Sequence, residues 1–310
     1  MNKIIITGPT GAVGHALIDE CLANNVEVFA VCRANSKRIE TLPKNALVHV
    51  VYADLNNLTE AAAFIPHDCE ALYHFAWAGT FGADARNDMP TQIKNIQYTL
   101  DAVCLARLCG CKTFIGAGSQ AEYGRFEGRL SSETPVFPDN GYGMAKLCAG
   151  QMSRVEAHKY GMKHIWTRIL SVYGPYDGEK TMVMSTILKL LHGEKPLFTK
   201  GEQMWDYIYT KDIGGIMFAL AGDRSMDGHI YCLGSGYVQP LYKYIEIIRD
   251  VINPKLPIGL GAIPYSPKQV MYLCADNTAI KDELGYTYRY DFFTGIKETI
   301  EWVKAYKSYK

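Results

Sequence analysis

Met1–Gly14, MNKIIITGPTGAVG, is the stretch on which the fold turns. Ile4, Ile5 and Ile6 make the short apolar run of a buried parallel strand, and Gly8, Gly11 and Gly14 follow at three-residue spacing, leading into a helical stretch from Ala12 to Asn24. A second apolar run, Val26 to Cys32 (VEVFAVC), closes a βαβ unit around the glycine turn. In that setting Gly8 allows a tight turn, Gly11 a close approach of backbone to a pyrophosphate, and Gly14 the contact of helix with strand, while the first helix amides face the phosphates. The turn reads as a dinucleotide site, spaced GxxGxxG instead of the commoner GxGxxG.

At the end of the second strand stands Arg33, where a site for NAD would place a carboxylate on the ribose hydroxyls. Arg33, Ser36, Lys37 and Arg38 offer guanidinium, hydroxyl and ammonium donors suited to a ribose phosphate. NADP(H) is therefore expected over NAD(H), with Lys37 and Arg38 also readable as a solvated helix start.

The chain has 310 residues, with 32 Lys+Arg balancing 32 Asp+Glu. There is no global basic field for nucleic acid, and a small-molecule partner is expected. No apolar run reaches the length of a membrane span, and the first strand consumes the amino terminus, so a cytoplasmic protein without a signal peptide is expected. The nine cysteines are scattered, and the one close pair, Cys109 and Cys111, lacks zinc-site spacing. Reduced, packed thiols and no metal are expected.

Further strands at Leu47 to Tyr52, Leu72 to Phe75, Thr113 to Ala117 and His164 to Leu170 alternate with helical stretches such as Thr91 to Cys109, which implies an α/β doubly wound parallel sheet. Ligands of such sheets lie beyond the carboxyl ends of the strands. There, Gly118-Ser119 is followed by Tyr142-Gly143-Met144-Ala145-Lys146, opening a helix to about Tyr160. Tyrosine and lysine at i and i+4 share a helix face. An ammonium beside a phenol favours the phenolate, so Lys146 could tune Tyr142 for proton transfer while Ser119 holds a substrate oxygen, which suits interconversion of a carbonyl and an alcohol.

These pieces together resemble the extended short-chain dehydrogenase/reductases, the NAD(P)-dependent epimerase/dehydratase family acting on nucleotide sugars. The matching segments are Thr7–Gly14, Asp54-Leu55, His74-Phe75-Ala76, Asn95, Gly118–Gly124 (GSQAEYG), Tyr142–Lys146 (YGMAK) and Arg168–Pro175 (RILSVYGP), spanning nearly the whole chain. The resemblance implies a Rossmann-type domain, and a catalytic set of Ser119, Tyr142 and Lys146 with Asn95. It implies cofactor contacts at Gly8, Thr10, Gly11, Ala12, Val13, Gly14, Asp54, Leu55, Phe75, Ala76 and Trp77, with Lys146 also on the nicotinamide ribose. It further implies a homodimer built on the helices near 91–109 and 142–160. Substrate candidates are Ser119, Gln120, Ser171, Val183, Trp205 and, from the loop Gly259 to Lys268, Lys268.

Departures from the family pattern narrow the chemistry. Where related dehydratases carry an Asp-Glu pair this chain has Gln120-Ala121, and Glu122, one position late, is expected to point elsewhere, so 4,6-dehydration is not expected. Trp205-Asp206-Tyr207 replaces the Arg-Asp-Phe of many relatives, whose arginine meets the substrate pyrophosphate. Ser171 stands where asparagine is frequent. Residues 1–172 and about 204–236 are expected to form the dinucleotide-binding domain, and about 173–203 with 237–310 a smaller substrate-binding lobe. Three functions remain open. They are an NADP(H)-dependent reductase of a 4-keto, often 6-deoxy, nucleotide-linked hexose, favoured by Arg33; an NAD-dependent 4-epimerase; and a non-catalytic dinucleotide-binding regulator.

Overall fold

The computed structural model describes residues 1–222, 224–267 and 269–308. Seven strands, all parallel, form its central sheet. They are β1 (Lys3–Thr7), β2 (Glu27–Cys32), β3 (Val48–Tyr52), β4 (Ala71–His74), β5 (Thr113–Ser119), β6 (Lys163–Ile169) and β7 (Ile230–Leu233), in the order β7-β6-β5-β4-β1-β2-β3. The strand order reverses between β1 and β4, the topological switch at which such sheets open a crevice.

The isoleucine run shows why β1 is central. Ile4 and Ile6 join the apolar cluster on one face, Ile5 joins the cluster on the other, and all three are sealed from solvent. A strand covered on both faces needs apolar residues at every position, not at alternate ones. Helix α1 (Ala12–Ala23) lies on the first face with α5 (Thr210–Leu220). The second face carries α2 (Met89–Leu108), which lies against α3 (Gly141–Lys159). Helices α4 (Met182–Leu191), α6 (Leu241–Ile252) and α7 (Phe292–Ser308) gather around Tyr173 and Tyr209 in a separate apolar cluster.

Strand β5 runs two residues past the expected end at Ala117. Gly118 and Ser119 continue the ladder opposite Arg168 and Ile169. Only glycine fits at 118, because a Cβ there would lie 2.3 Å from Trp166 Nε1 and 2.4 Å from Glu122 Oε1. Ser119 is thus the last residue of a rigid strand rather than a member of a loop. All nine cysteines are free, and burial pushes the thiols of Cys69 up to about 12 and Cys109 up to about 11. Among the described residues, no group of three or more His, Cys, Asp or Glu is placed to hold a metal ion. No described helix is long and apolar enough to cross a membrane.

Candidate active site

The glycine turn leaves β1 with Gly8 at φ +70, and a Cβ on Gly8 would lie 2.7 Å from Ala76 N. Gly14 is equally constrained, since its Cβ would meet the carbonyl oxygens of Pro9 and Gly8 at 2.6 and 2.7 Å. Its close contact is with the turn itself and not with the strand. Gly11 differs: a Cβ there meets nothing nearer than Gly8 O at 3.7 Å. The turn therefore leaves open space beside Gly11. Gly11 caps α1 with no side-chain hydrogen bond and no acidic residue in the first turn, leaving the amides near Ala12 and Val13 suited to an anion. Thr10 stands half-buried in the same turn.

Beyond β4, Phe75 N donates to Thr7 O at 3.0 Å, and Ala76 N to Thr7 Oγ1 at 3.4 Å. Trp77 Nε1 donates to Gln92 Oε1 at 3.0 Å. Asn95 is buried, and its amide oxygen accepts from Ala78 N at 2.9 Å while its amide nitrogen donates to Ala78 O at 2.9 Å. Both ends of that amide are bonded to the Ala78 backbone, and its nitrogen donates to Gln92 Oε1 at 3.3 Å as well. It positions the segment that carries Trp77.

Ser119, Tyr142 and Lys146 converge where β5 meets α3, and all three are buried. Asn140 sets the start of α3, its side chain accepting from Gly143 N at 2.9 Å. Burial pushes the Tyr142 phenol up from its ordinary value, against the hydrogen bond with Ser119 and the charge of Arg86, which hold it down. Lys146 Nζ donates to Ala117 O at 2.6 Å and lies 3.6 Å from the Trp77 ring centroid. Burial drives its ammonium down to about 7, with Glu122 acting in the other direction. The protonated phenol beside a serine hydroxyl is equipped to give a proton to an oxygen held between them.

Glu122 does point elsewhere. Its carboxylate accepts from Ser119 N at 2.8 Å, Trp166 Nε1 at 3.0 Å and Arg168 Nε at 2.9 Å, wholly out of solvent. The short turn Gln120–Glu122 thus spends its one carboxylate on the strand behind it, while Gln120 stays half-buried.

The sequence model of the NAD dependent epimerase/dehydratase family matches residues 4–234. The chain belongs to this family. It is 25% identical over 264 residues to a Bacillus subtilis protein described as an uncharacterized UDP-glucose epimerase, YtcB, covering 82% of this chain and 83% of that one. It is 24% identical over 325 residues to a dTDP-glucose 4,6-dehydratase of Streptomyces niveus, covering 97% and 93%. The fold superposes with a TM-score of 0.85 on the UDP-glucuronic acid 4-epimerase of Bacillus cereus solved with UDP-glucuronic acid and NAD, at 20% identity over 98% of this chain and 99% of that one.

The remaining residues expected from the epimerase/dehydratase pattern fall in varied places. Arg33 is exposed at the end of β2 and Ser36 starts the turn Lys37–Thr41, but Arg38 Nη2 donates to Tyr176 O at 3.0 Å. Asp54 caps the turn Leu55–Phe64, its carboxylate accepting from Asn56 N at 3.1 Å and Asn56 Nδ2 at 2.8 Å. Val183, at 2% exposure, packs within the cluster of Tyr173, Ile187 and Ile248. Lys268 lies outside the described residues. Trp205 and Ser171, two of the three departures from the family pattern, meet directly, Trp205 Nε1 donating to Ser171 Oγ at 2.8 Å. A cavity of about 810 Å³ with aromatic walls (Tyr173, Tyr207, Tyr209, Tyr244, Phe292) lies elsewhere, and none of Ser119, Tyr142 and Lys146 lines it. The proton-transfer chemistry argues for the crevice, not for this hollow. Arg86, absent from every motif, stands with its guanidinium carbon 4.5 Å from the Tyr142 ring centroid.

Proposed function

We propose that this chain is an NADP(H)-dependent oxidoreductase acting on a nucleotide-activated sugar, reducing a 4-keto, often 6-deoxy, hexose to the alcohol. The observation that carries this reading is the meeting of Ser119, Tyr142 and Lys146 at the carboxyl edge of the sheet, next to a glycine turn that has room for a ligand at Gly11. Ser119 holds the carbonyl oxygen by a hydrogen bond, and Tyr142, kept protonated by burial, donates the proton that completes the alcohol. Residues of the turn Gly8–Gly14 would hold the pyrophosphate, Trp77 and Lys146 would border the nicotinamide, and Arg33 with Ser36 would meet a ribose phosphate. The nicotinamide, when bound, supplies the hydride. No carboxylate of the turn after Ser119 is free to assist loss of water, since Glu122 is turned to Arg168, so dehydration is not part of the proposal.

A second reading, 4-epimerisation with a retained cofactor, draws support from the NAD held by the Bacillus cereus epimerase and from the same three residues, which serve either direction of hydride transfer. Denaturing the purified protein and identifying what it releases separates the two. Tightly retained NAD sinks the reductase reading. Protein that arrives without dinucleotide, takes up NADPH in preference to NADH and loses that preference in Arg33→Ala supports it. The same proposal includes a second copy of the chain, docked on α2 and α3, which side by side expose Met89, Ile93, Met144 and Val155. Sedimentation of wild type against Ile93→Lys tests it, and a monomeric wild type overturns it.

A further inference from the structure

We propose that Arg86 acts on the reaction through Tyr142, its guanidinium being a permanent positive charge set over the ring to stabilise the phenolate form. The inference rests on Tyr142 being the group that exchanges a proton. Arg86 ends the short helix Ala83–Arg86, and its Nε donates to Thr80 O at 3.0 Å. The segment around it is held firmly: Gln92 Nε2 donates to Gly79 O at 3.1 Å and to Ala85 O at 2.9 Å. It is also fastened to the helix that carries Tyr142. Gly141 N donates to Asn87 Oδ1 at 3.1 Å, and a Cβ at 141 would lie 2.8 Å from Met89 Sδ and 3.0 Å from Arg86 O.

Among the described residues, three charged side chains face the phenol: Arg86 from the short helix, Glu122 from the turn after β5, and Lys146 from Tyr142's own helix. Glu122 opposes the phenolate. Lys146 Nζ stands 5.8 Å from the Tyr142 ring centroid and is bonded to Ala117 O, whereas the Arg86 guanidinium carbon stands at 4.5 Å. A guanidinium also keeps its charge across the working pH range. Arg86 is therefore the nearer of the two cations to the ring and adds to what Lys146 does for the phenolate.

The test is the titration of Tyr142 itself, in purified protein without substrate, with fluorotyrosine labelling and the resonance identified by its loss in Tyr142→Phe. An opposite charge at this range lowers a pKa by about 1 to 3 units. Arg86→Gln is expected to raise the Tyr142 midpoint by that amount and to shift the pH limb of kcat with it, whereas Arg86→Lys keeps most of the effect. An unmoved midpoint in Arg86→Gln, equal shifts in both variants, or no ionisation in wild type below the pH of alkaline unfolding would overturn the proposal. If Arg86→Gln does not fold, Arg86→Lys against wild type decides, and a Lys midpoint displaced as far as about 3 units counts against a purely electrostatic role. Because the titration needs no turnover, an inactive wild type would sink the functional reading while leaving the role of Arg86 to be decided.

Discussion

Replacing Glu122 by glutamine tests what holds the strand end that presents Ser119. The carboxylate is fully buried and gathers three donors, Ser119 N, Trp166 Nε1 and Arg168 Nε, at 2.8, 3.0 and 2.9 Å. Glutamine keeps one oxygen for Ser119 and Trp166 but turns an amide NH2 toward Arg168, so a buried guanidinium loses its counter-charge. Breaking a buried pair from one side costs about 3–5 kcal/mol. Average unfolding entropies make each kcal/mol worth about 1.5 °C in a chain of this length, so the midpoint should fall by roughly 5–8 °C at a fixed scan rate. Removing both charges should cost less than removing one, because neither is left unpaired. Far-UV circular dichroism melts of wild type, Glu122→Gln, Arg168→Met and the double variant form a complete cycle. A single variant melting within about 1 °C of wild type, or a double variant losing the sum of the two singles, would refute the reasoning.

Gly8→Ala and Gly11→Ala should separate fold from ligand: the first, at φ +70 with Ala76 N at 2.7 Å from the new Cβ, destabilises the protein, while the second melts like wild type and loses dinucleotide affinity in calorimetry. Equal melting of the two would contradict this. Burial holds the imidazoles of His15 at about 4 and of His74 and His164 at about 3, so the stability each contributes is complete above about pH 6.5 and is lost as the pH falls toward those values. Urea melts should show stability dropping by about 1.4 kcal/mol per pH unit for each of the three below pH 6.5, and a flat profile down to about pH 5 would reject it. Trp205→Phe keeps a flat ring but loses the donor to Ser171, and should raise KM several-fold with kcat little changed. A fall in kcat alone would assign Trp205 to chemistry rather than to binding.

What could be read from the chain before folding was local in sequence. Ile4 to Ile6, the glycines at 8, 11 and 14, and the Tyr142 and Lys146 pair state their geometry within one turn of helix or one strand, and the structure places them accordingly except that Gly14 packs on the turn instead of the strand. The packing of Val183 was legible too: Val183, Met184, Ile187 and Leu190 repeat at helical spacing, which is the mark of a core face. Arg38 and Arg86 could not be placed this way. Arg38 reaches a carbonyl at Tyr176, and Arg86 reaches a ring at Tyr142, through loops whose return path no periodicity records. Glu122 was legible only in the negative, as a carboxylate one residue out of place, because its partner Arg168 lies on the neighbouring strand.

The departures at Trp205 and Ser171 are better understood as one. Taken singly, tryptophan at 205 removes a cation and serine at 171 removes an amide, and each would count as a lost contact to substrate. Their hydrogen bond at 2.8 Å changes that reading. The indole N–H would otherwise be left without an acceptor in a half-buried position, at a cost comparable to the whole gain from a typical hydrogen bond, and the serine hydroxyl meets that need. The Trp205 carbonyl is fixed as well, accepting from Tyr244 at 2.9 Å. The ring is thereby held by both its side chain and its backbone, a rigid, uncharged plate. Under the proposed function, such a plate would stack on a base or sugar face instead of clamping phosphate oxygens, and would discriminate by shape and not by charge.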